Sequence, residues 1–135
     1  MWYAFLDEKL IIDGVCFVSV LEDKSYAFSI RIVRLSNYLV KEKKEYTLTK
    51  QLLRSGTAIG ALIAEAQYAQ SRADFINKLQ ISLKEASESR YWLRLMHDCN
   101  YIDTNMFKSI FPDVEELIRL LTSSINTSKK KNNAK

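Results

Sequence analysis

The amino-acid sequence predicts an all-α protein: an antiparallel up-and-down four-helix bundle with a short non-bundle N-terminal segment and a disordered basic C-terminal tail. Three observations lead there. Three glycines and one proline in 135 residues are too few for an all-β chain, which needs a turn residue roughly every ten positions. From Asp23 onward, apolar residues recur at the three-to-four spacing of a helix face in four long segments. Short polar links join these segments, and short links make neighbouring helices antiparallel. A chain of this length that is 47% hydrophobic fills one core rather than two.

Residues 1–22 form a mixed apolar run with β-branched residues and no helical period, which suits a short strand or an extended arm. The bundle is expected to span 23–127. Ser25 is a plausible N-cap for a first helix whose apolar line is Phe28, Ile32, Leu35 and Leu39, closed by Lys-Glu-Lys-Lys-Glu at 41–45. Thr47 or Thr49 caps a second helix lined by Leu48, Leu52, Ile59, Ile63 and Ala66. Ser71 stands three residues before Asp74 and opens a third helix carrying Phe75, Leu79, Leu83, Ala86 and Leu93, with Asn100 suited to the left-handed position that ends it. The fourth starts near Asp103 or Thr104, with Phe107, Phe111, Val114, Leu117, Leu121 and Ile125 as its stripe. Pro112 should kink it or split it in two. Residues 128–135 have nothing to anchor them and should be disordered.

Charge narrows the function. Lys129, Lys130, Lys131 and Lys135 account for the whole formal charge of +4, while residues 24–97 carry thirteen Lys/Arg against six acids. That asymmetry suits an anionic partner. No segment has the ~20 apolar residues of a membrane span, and the N-terminus lacks the basic start of a secretory signal, so a cytoplasmic location is expected. Cys16 and Cys99 have no metal-type spacing, and His97 is the single histidine. A zinc site, a serine-type triad or a di-iron site with paired Glu-x-x-His motifs would lack ligands or a base. No catalytic, metal or cofactor site is therefore expected, and the protein is read as non-enzymatic.

The candidate nucleic-acid contacts are Arg31, Arg34, Tyr38 and Lys41 along one face of helix one, Lys50 with Arg54, Arg90 with Arg94, and Lys129, Lys130 and Lys131. Like charges at i, i+4 cost stability unless an anion offsets them, guanidinium suits phosphate, and a tyrosine among them can stack on a base. Glu65, flanked by alanines, is expected to be partly buried and ion-paired, with Arg54 or Arg90 as the partner. Gly56, Gly60 and Ala64 recur one turn apart, leaving a helix edge with almost no side chain that another backbone can approach. Together with Tyr91 and Trp92 they are the candidates for packing or subunit contact, with subunits favoured.

Several segments in order carry a resemblance: Phe28 to Leu35; Gln51-Leu52-Leu53-Arg54-Ser55 with Ile59 and Ile63-Ala64-Glu65; Asp74-Phe75 through Leu79; Ser87-Glu88; and Glu116-Leu117-Ile118 with Leu120-Leu121. From about Tyr26 to Thr127 the chain resembles the bacterial four-helix-bundle family encoded in intervening sequences of 23S ribosomal RNA genes. That family is similar in fold to the accessory variability proteins of diversity-generating retroelements. The resemblance implies a homo-oligomer, a pentamer, with a role in binding RNA or DNA, or in serving a reverse transcriptase or another nucleic-acid-handling protein, and no established enzymatic activity. Leu62 stands where relatives commonly have Asn, and Arg90 where they often have an acid.

Overall fold

A computed structural model of the chain describes residues 11–12 and 15–133, with side chains from Val18 to Lys130. Strands β1 (Ile11–Ile12) and β2 (Val15–Cys16) pair antiparallel, with Ile11 opposite Cys16 and Ile12 opposite Val15. Four helices follow: α1 (Phe17–Lys43), α2 (Thr47–Ala66), α3 (Arg72–Asp98) and α4 (Thr104–Asn133). Each packs on the next in chain order and α4 returns to α1, giving the expected four-helix bundle.

All four helices bury residues at alternating steps of three and four. In α1 these are Val18, Leu21, Ser25, Phe28, Ile32, Leu35 and Leu39; in α4, Ile110, Val114, Leu117, Leu121, Ser124 and Ser128. The α2 set is Thr49, Leu52, Gly56, Ile59, Ile63 and Ala66, and the α3 set is Phe75, Leu79, Ser82, Ala86, Ser89, Leu93 and Met96. A 3.5-residue average is the coiled-coil period, which keeps one seam of each helix on a shared axis. Leu48, Leu83 and Phe111 fall off this rhythm and are only half-buried, while Phe107 continues the α4 series at its exposed end and is also half-buried.

The same rhythm moves the start of α1. Val18 and Leu21 continue its stripe upstream, so the helix begins at Phe17 and not near Asp23, and Ser25 is no cap. It lies buried in mid-helix, its hydroxyl donating to Glu22 O at 3.2 Å. Helix α2 is not capped by a threonine either. The buried carboxylate of Glu45 accepts from the N–H groups of Thr47, Leu48 and Thr49 at 3.1, 2.9 and 2.7 Å and from Thr49 Oγ1 at 2.7 Å. Thr47 is already the first helical residue, and the longer glutamate reaches back over the free donors from outside.

Other termini match expectation. Ser71 accepts from Asp74 N at 3.1 Å to cap α3, while Asp74 accepts from Gln70 N at 3.2 Å. At its far end Asn100 has φ +67° and donates to His97 O, and Tyr101 N donates to Met96 O, the paired bonds of a Schellman stop. Asp103 caps α4 through Met106 N at 2.8 Å. Pro112 does not split α4, which runs through it as one helix. The helix also continues beyond residue 127, with Ser128 buried, because the 3-4 stripe persists through Ser124 and Ser128; of the expected tail, residues 128–133 are helical and 134–135 lie outside the described residues. Residues 1–10 of the expected N-terminal segment also lie outside them.

Candidate nucleic-acid interface

The predicted basic residues divide by what the fold places beside them. On α1, Lys24 meets Glu116 of α4 at 3.1 Å. One heptad later Arg31 pairs with Asp113 and donates to Ser109 O at 3.0 Å. Pro112 lies in this same turn of α4 and supplies no backbone N–H of its own. One heptad further on stands Tyr38, with no acid of α4 paired to it, and here α1 and α4 part into a furrow. Its first cleft, about 440 Å³, is lined by Arg31, Arg34, Leu35, Asn105, Met106, Ser109 and Ile110. The next, about 260 Å³, is lined by Tyr38, Lys43, His97, Asn100, Ile102, Asp103 and Thr104. From Arg31 to Lys43 this spans about 18 Å of α1 at ~1.5 Å per residue.

Two of the four α1 candidates, Arg31 and Arg34, thus line the first cleft and a third, Tyr38, lines the second, while Lys41 is exposed and lines neither. Among the described residues neither Arg34 nor Lys41 has an acidic partner within ion-pair distance. The acid in the furrow, Asp103, has one oxygen taken up by the α4 cap. His97 closes the end: Nε2 lies 3.3 Å from Thr104 Oγ1, Nδ1 lies 3.2 Å from Asp98 Oδ1, and the ring stacks on Phe107 at 4.3 Å. Lys43, Asn100, Thr104, Asn105, Met106 and Ser109 belong to the site but were not singled out for it from sequence. Nothing local marks them; only an antiparallel return of α4 onto α1 brings its first turns beside the end of α1.

The remaining candidates lie elsewhere. Lys50 and Arg94 are exposed and Arg90 is half-buried, on α2 and α3. Lys129 and Lys130 are exposed near the far end of α4, roughly 38 Å from its start at ~1.5 Å per residue; the side chain of Lys131 lies outside the described residues.

Arg54 is structural, but its partner is not Glu65. It crosses to α3, where Nη2 donates to both oxygens of Glu88 at 2.9 and 2.8 Å, and Nη1 lies 3.6 Å from Glu85. Glu65 is exposed, three turns further along the same helix. Burial would raise the Glu88 carboxyl, but hydrogen bonds from Arg54 and Trp92 hold it below the usual carboxylate range. Burial pushes Glu85 up; Arg54 pulls it back, and the adjoining Glu88 carboxyl adds to the rise, leaving it raised. Trp92 is half-buried against the core with Nε1 3.4 Å from Glu88, while exposed Tyr91 meets it edge-on at 5.1 Å.

The small-residue ridge also finds its neighbour inside the chain. A Cβ on Gly56 would lie 2.9 Å from both Cγ atoms of Ile32, and one on Gly60 would lie 3.3 Å from Ser25 Oγ and Ser29 Oγ. Gly56 and Gly60 let α2 approach α1, so they are not the subunit contact that was favoured; Ala64 is exposed beside the resulting groove. A different surface lacks a neighbour. Tyr26, Ile30, Val33 and Val40 are 38–69% exposed and, with Asn37, repeat the 4-3-4-3 step along the outer side of α1.

Comparison with known proteins places this geometry. Residues 20–123 match the model of the 23S rRNA-intervening sequence protein family. The chain is also similar to a crystal structure of a protein of unknown function from the S23 ribosomal protein family of Bacteroides thetaiotaomicron VPI-5482. The two share 53% sequence identity at a TM-score of 0.80, over 82% of this chain and 98% of that one. Comparison with curated proteins gives no match.

Proposed function

The chain belongs to the 23S rRNA-intervening sequence protein family, and from that premise we propose that it is a non-enzymatic, self-associating bundle that holds RNA or DNA in the α1–α4 furrow. The carrying observation is the run of clefts itself: Arg34 lines the first without an acidic partner among the described residues, half-buried Tyr38 lines the second, and exposed Lys41 follows Tyr38 about one turn further along α1. Cation and aromatic side chains in one groove are the means by which proteins track single strands. At about 3.4 Å per stacked nucleotide, ~18 Å of α1 accommodates roughly five.

Anisotropy titration of labelled RNA and DNA strands at several salt concentrations tests this. Each phosphate neutralised on a single strand adds about 0.7 to the slope of log affinity against log salt. Arg34→Ala with Lys41→Ala should lower both affinity and slope. Absence of binding at low salt would end the nucleic-acid reading.

Self-association is supported by the outer stripe of α1. Large apolar residues at heptad steps on a helix exterior mark a surface made for a partner, and a closed ring is the common outcome for identical subunits. The order proposed is five, in the cytoplasm. A second reading rests on that same stripe: the protein is an interaction module whose stripe receives a different protein, such as a reverse transcriptase or another nucleic-acid-handling enzyme, with no nucleic-acid contact of its own. Light scattering separates the two, since a single-chain mass at micromolar concentration defeats self-association and leaves the stripe for another protein.

A further inference from the structure

The two ends of the furrow differ in chemistry. Toward Lys43 it is polar, lined by His97, Asn100, Asp103 and Thr104, but the larger cleft between Arg34 and Met106 is walled mainly by Leu35, Met106 and Ile110. Arg31 forms its remaining side in an unusual state for a surface arginine. Asp113 and the backbone and hydroxyl oxygens of Ser109 hold its guanidinium in place. Its charge is therefore largely answered within the chain, while the residue remains part of the cleft lining. A guanidinium plane stacks on aromatic rings, and one already fixed costs little further ordering when a ring arrives.

Resting on the nucleic-acid reading above, we infer that this cleft takes a single unstacked base against the immobilised Arg31 plane, so the furrow selects unpaired nucleotides over duplex. Arg34 and Lys41 then serve the phosphates on either side of that nucleotide. A duplex keeps its bases stacked inside and offers the furrow only phosphates, forfeiting the apolar half of the site. Sequence-tolerant stacking with flanking cations is the recognition pattern of single-strand binders.

The test uses a ten-nucleotide RNA carrying one 2-aminopurine, and a hairpin duplex of the same charge, each titrated with the full-length protein. The expected result is at least tenfold tighter binding of the single strand, with a change in 2-aminopurine emission as the base leaves solution for the cleft. Arg31→Lys keeps the positive charge opposite Asp113 but removes the plane. It should abolish most of the single-strand preference and the emission change while leaving the salt slope intact. Met106→Ala removes one apolar wall without altering charge and should weaken the single strand several-fold with the hairpin unaffected, which keeps the test valid if circular dichroism shows Arg31→Lys to be misfolded. Equal affinity for hairpin and strand, or single-strand binding indifferent to both substitutions, overturns the base cleft and leaves the nucleic-acid reading standing. Failure of both ligands to bind at low salt overturns the two together.

Discussion

Gly56→Ala is the sharpest test of how α1 and α2 are held. In an isolated helix the change is favourable by about 1 kcal/mol, since glycine is that much poorer than alanine in a helix interior. Here the new methyl would stand 2.9 Å from both Cγ branches of Ile32, well inside contact distance, and Ile32 is fully buried with no space to retreat into. Overpacking of this kind costs about 1–3 kcal/mol, so the net effect should be a loss of roughly 0–2 kcal/mol by combining the two ranges. Gly60→Ala is the matched control, because its methyl meets hydroxyl oxygens at 3.3 Å, a few tenths of an ångström too close, and propensity should largely offset the crowding. Urea titrations followed by circular dichroism at one fixed protein concentration read both, with unchanged m-values expected. Adding Ile32→Ala should reverse the sign: alone it costs about 2–5 kcal/mol as a cavity, and in its presence the Gly56 methyl should become favourable, a coupling of about 1–3 kcal/mol. If Gly56→Ala is as stable as Gly60→Ala, or more so, the close approach of α2 to Ile32 is not what the glycine serves.

Other substitutions probe separate parts of the molecule. Glu45→Gln should cost about 0.5–2 kcal/mol, as for loss of a helix cap. Burial opposes ionisation of Glu45, but hydrogen bonds from Thr49, Leu48 and Thr47 hold its carboxyl below the ordinary 4.5. Its contribution is therefore complete above that value and lost as pH falls below it, and acid titration of the variant should show a shallower loss there. Val33→Glu, in the middle of the outer stripe, should leave helicity intact and lower the mass seen by light scattering; unchanged mass would show that subunits meet elsewhere. Removing residues 131–135, a polar segment with no large apolar side chain, should leave the melting temperature almost unchanged. Removing 124–135 should cost more, because buried Ser124, Ile125 and Ser128 go with it, and equal melting temperatures for the two truncations would refute the docked end of α4.

Most of the bundle was legible because periodicity and punctuation agree. Ser71 with Asp74, Asn100 and Asp103 each state a boundary chemically, and the structure uses each for that purpose. Two of the misses share one cause. Serine and glycine occupy core positions that a search for large apolar residues passes over, so Ser25 was read as a cap and Gly56 as a subunit contact. Once Ser25, Gly56, Ser82, Ser89, Ser124 and Ser128 are admitted to the seams, an unbroken 3-4 pattern runs from Val18 to Leu39 and from Ile110 to Ser128. That pattern places the start of α1 upstream of Asp23 and carries α4 past residue 127.

The candidate site was only half legible, and the reason lies in topology. Arg31, Arg34 and Tyr38 share a helix face that spacing alone reveals, but a face is not a site until something stands opposite it. What stands opposite comes from some seventy residues later in the chain, and the furrow exists because the ion-pair register between α1 and α4 stops. Lys24–Glu116 and Arg31–Asp113 draw the two helices together over successive heptads of α1. At the next heptad step α1 offers a tyrosine, and the start of α4 offers Thr104 and Asp103, whose carboxylate is engaged in the α4 cap. The same register explains why the basic residues are unequal. Arg31 and Arg54 spend their charge on acids of neighbouring helices, whereas Arg34 and Lys41 lie beyond the last rung and have no acidic partner among the described residues. An aspartate introduced at Met106 would extend the ladder by one rung, so it should tighten the α1–α4 seam and weaken nucleic-acid binding together.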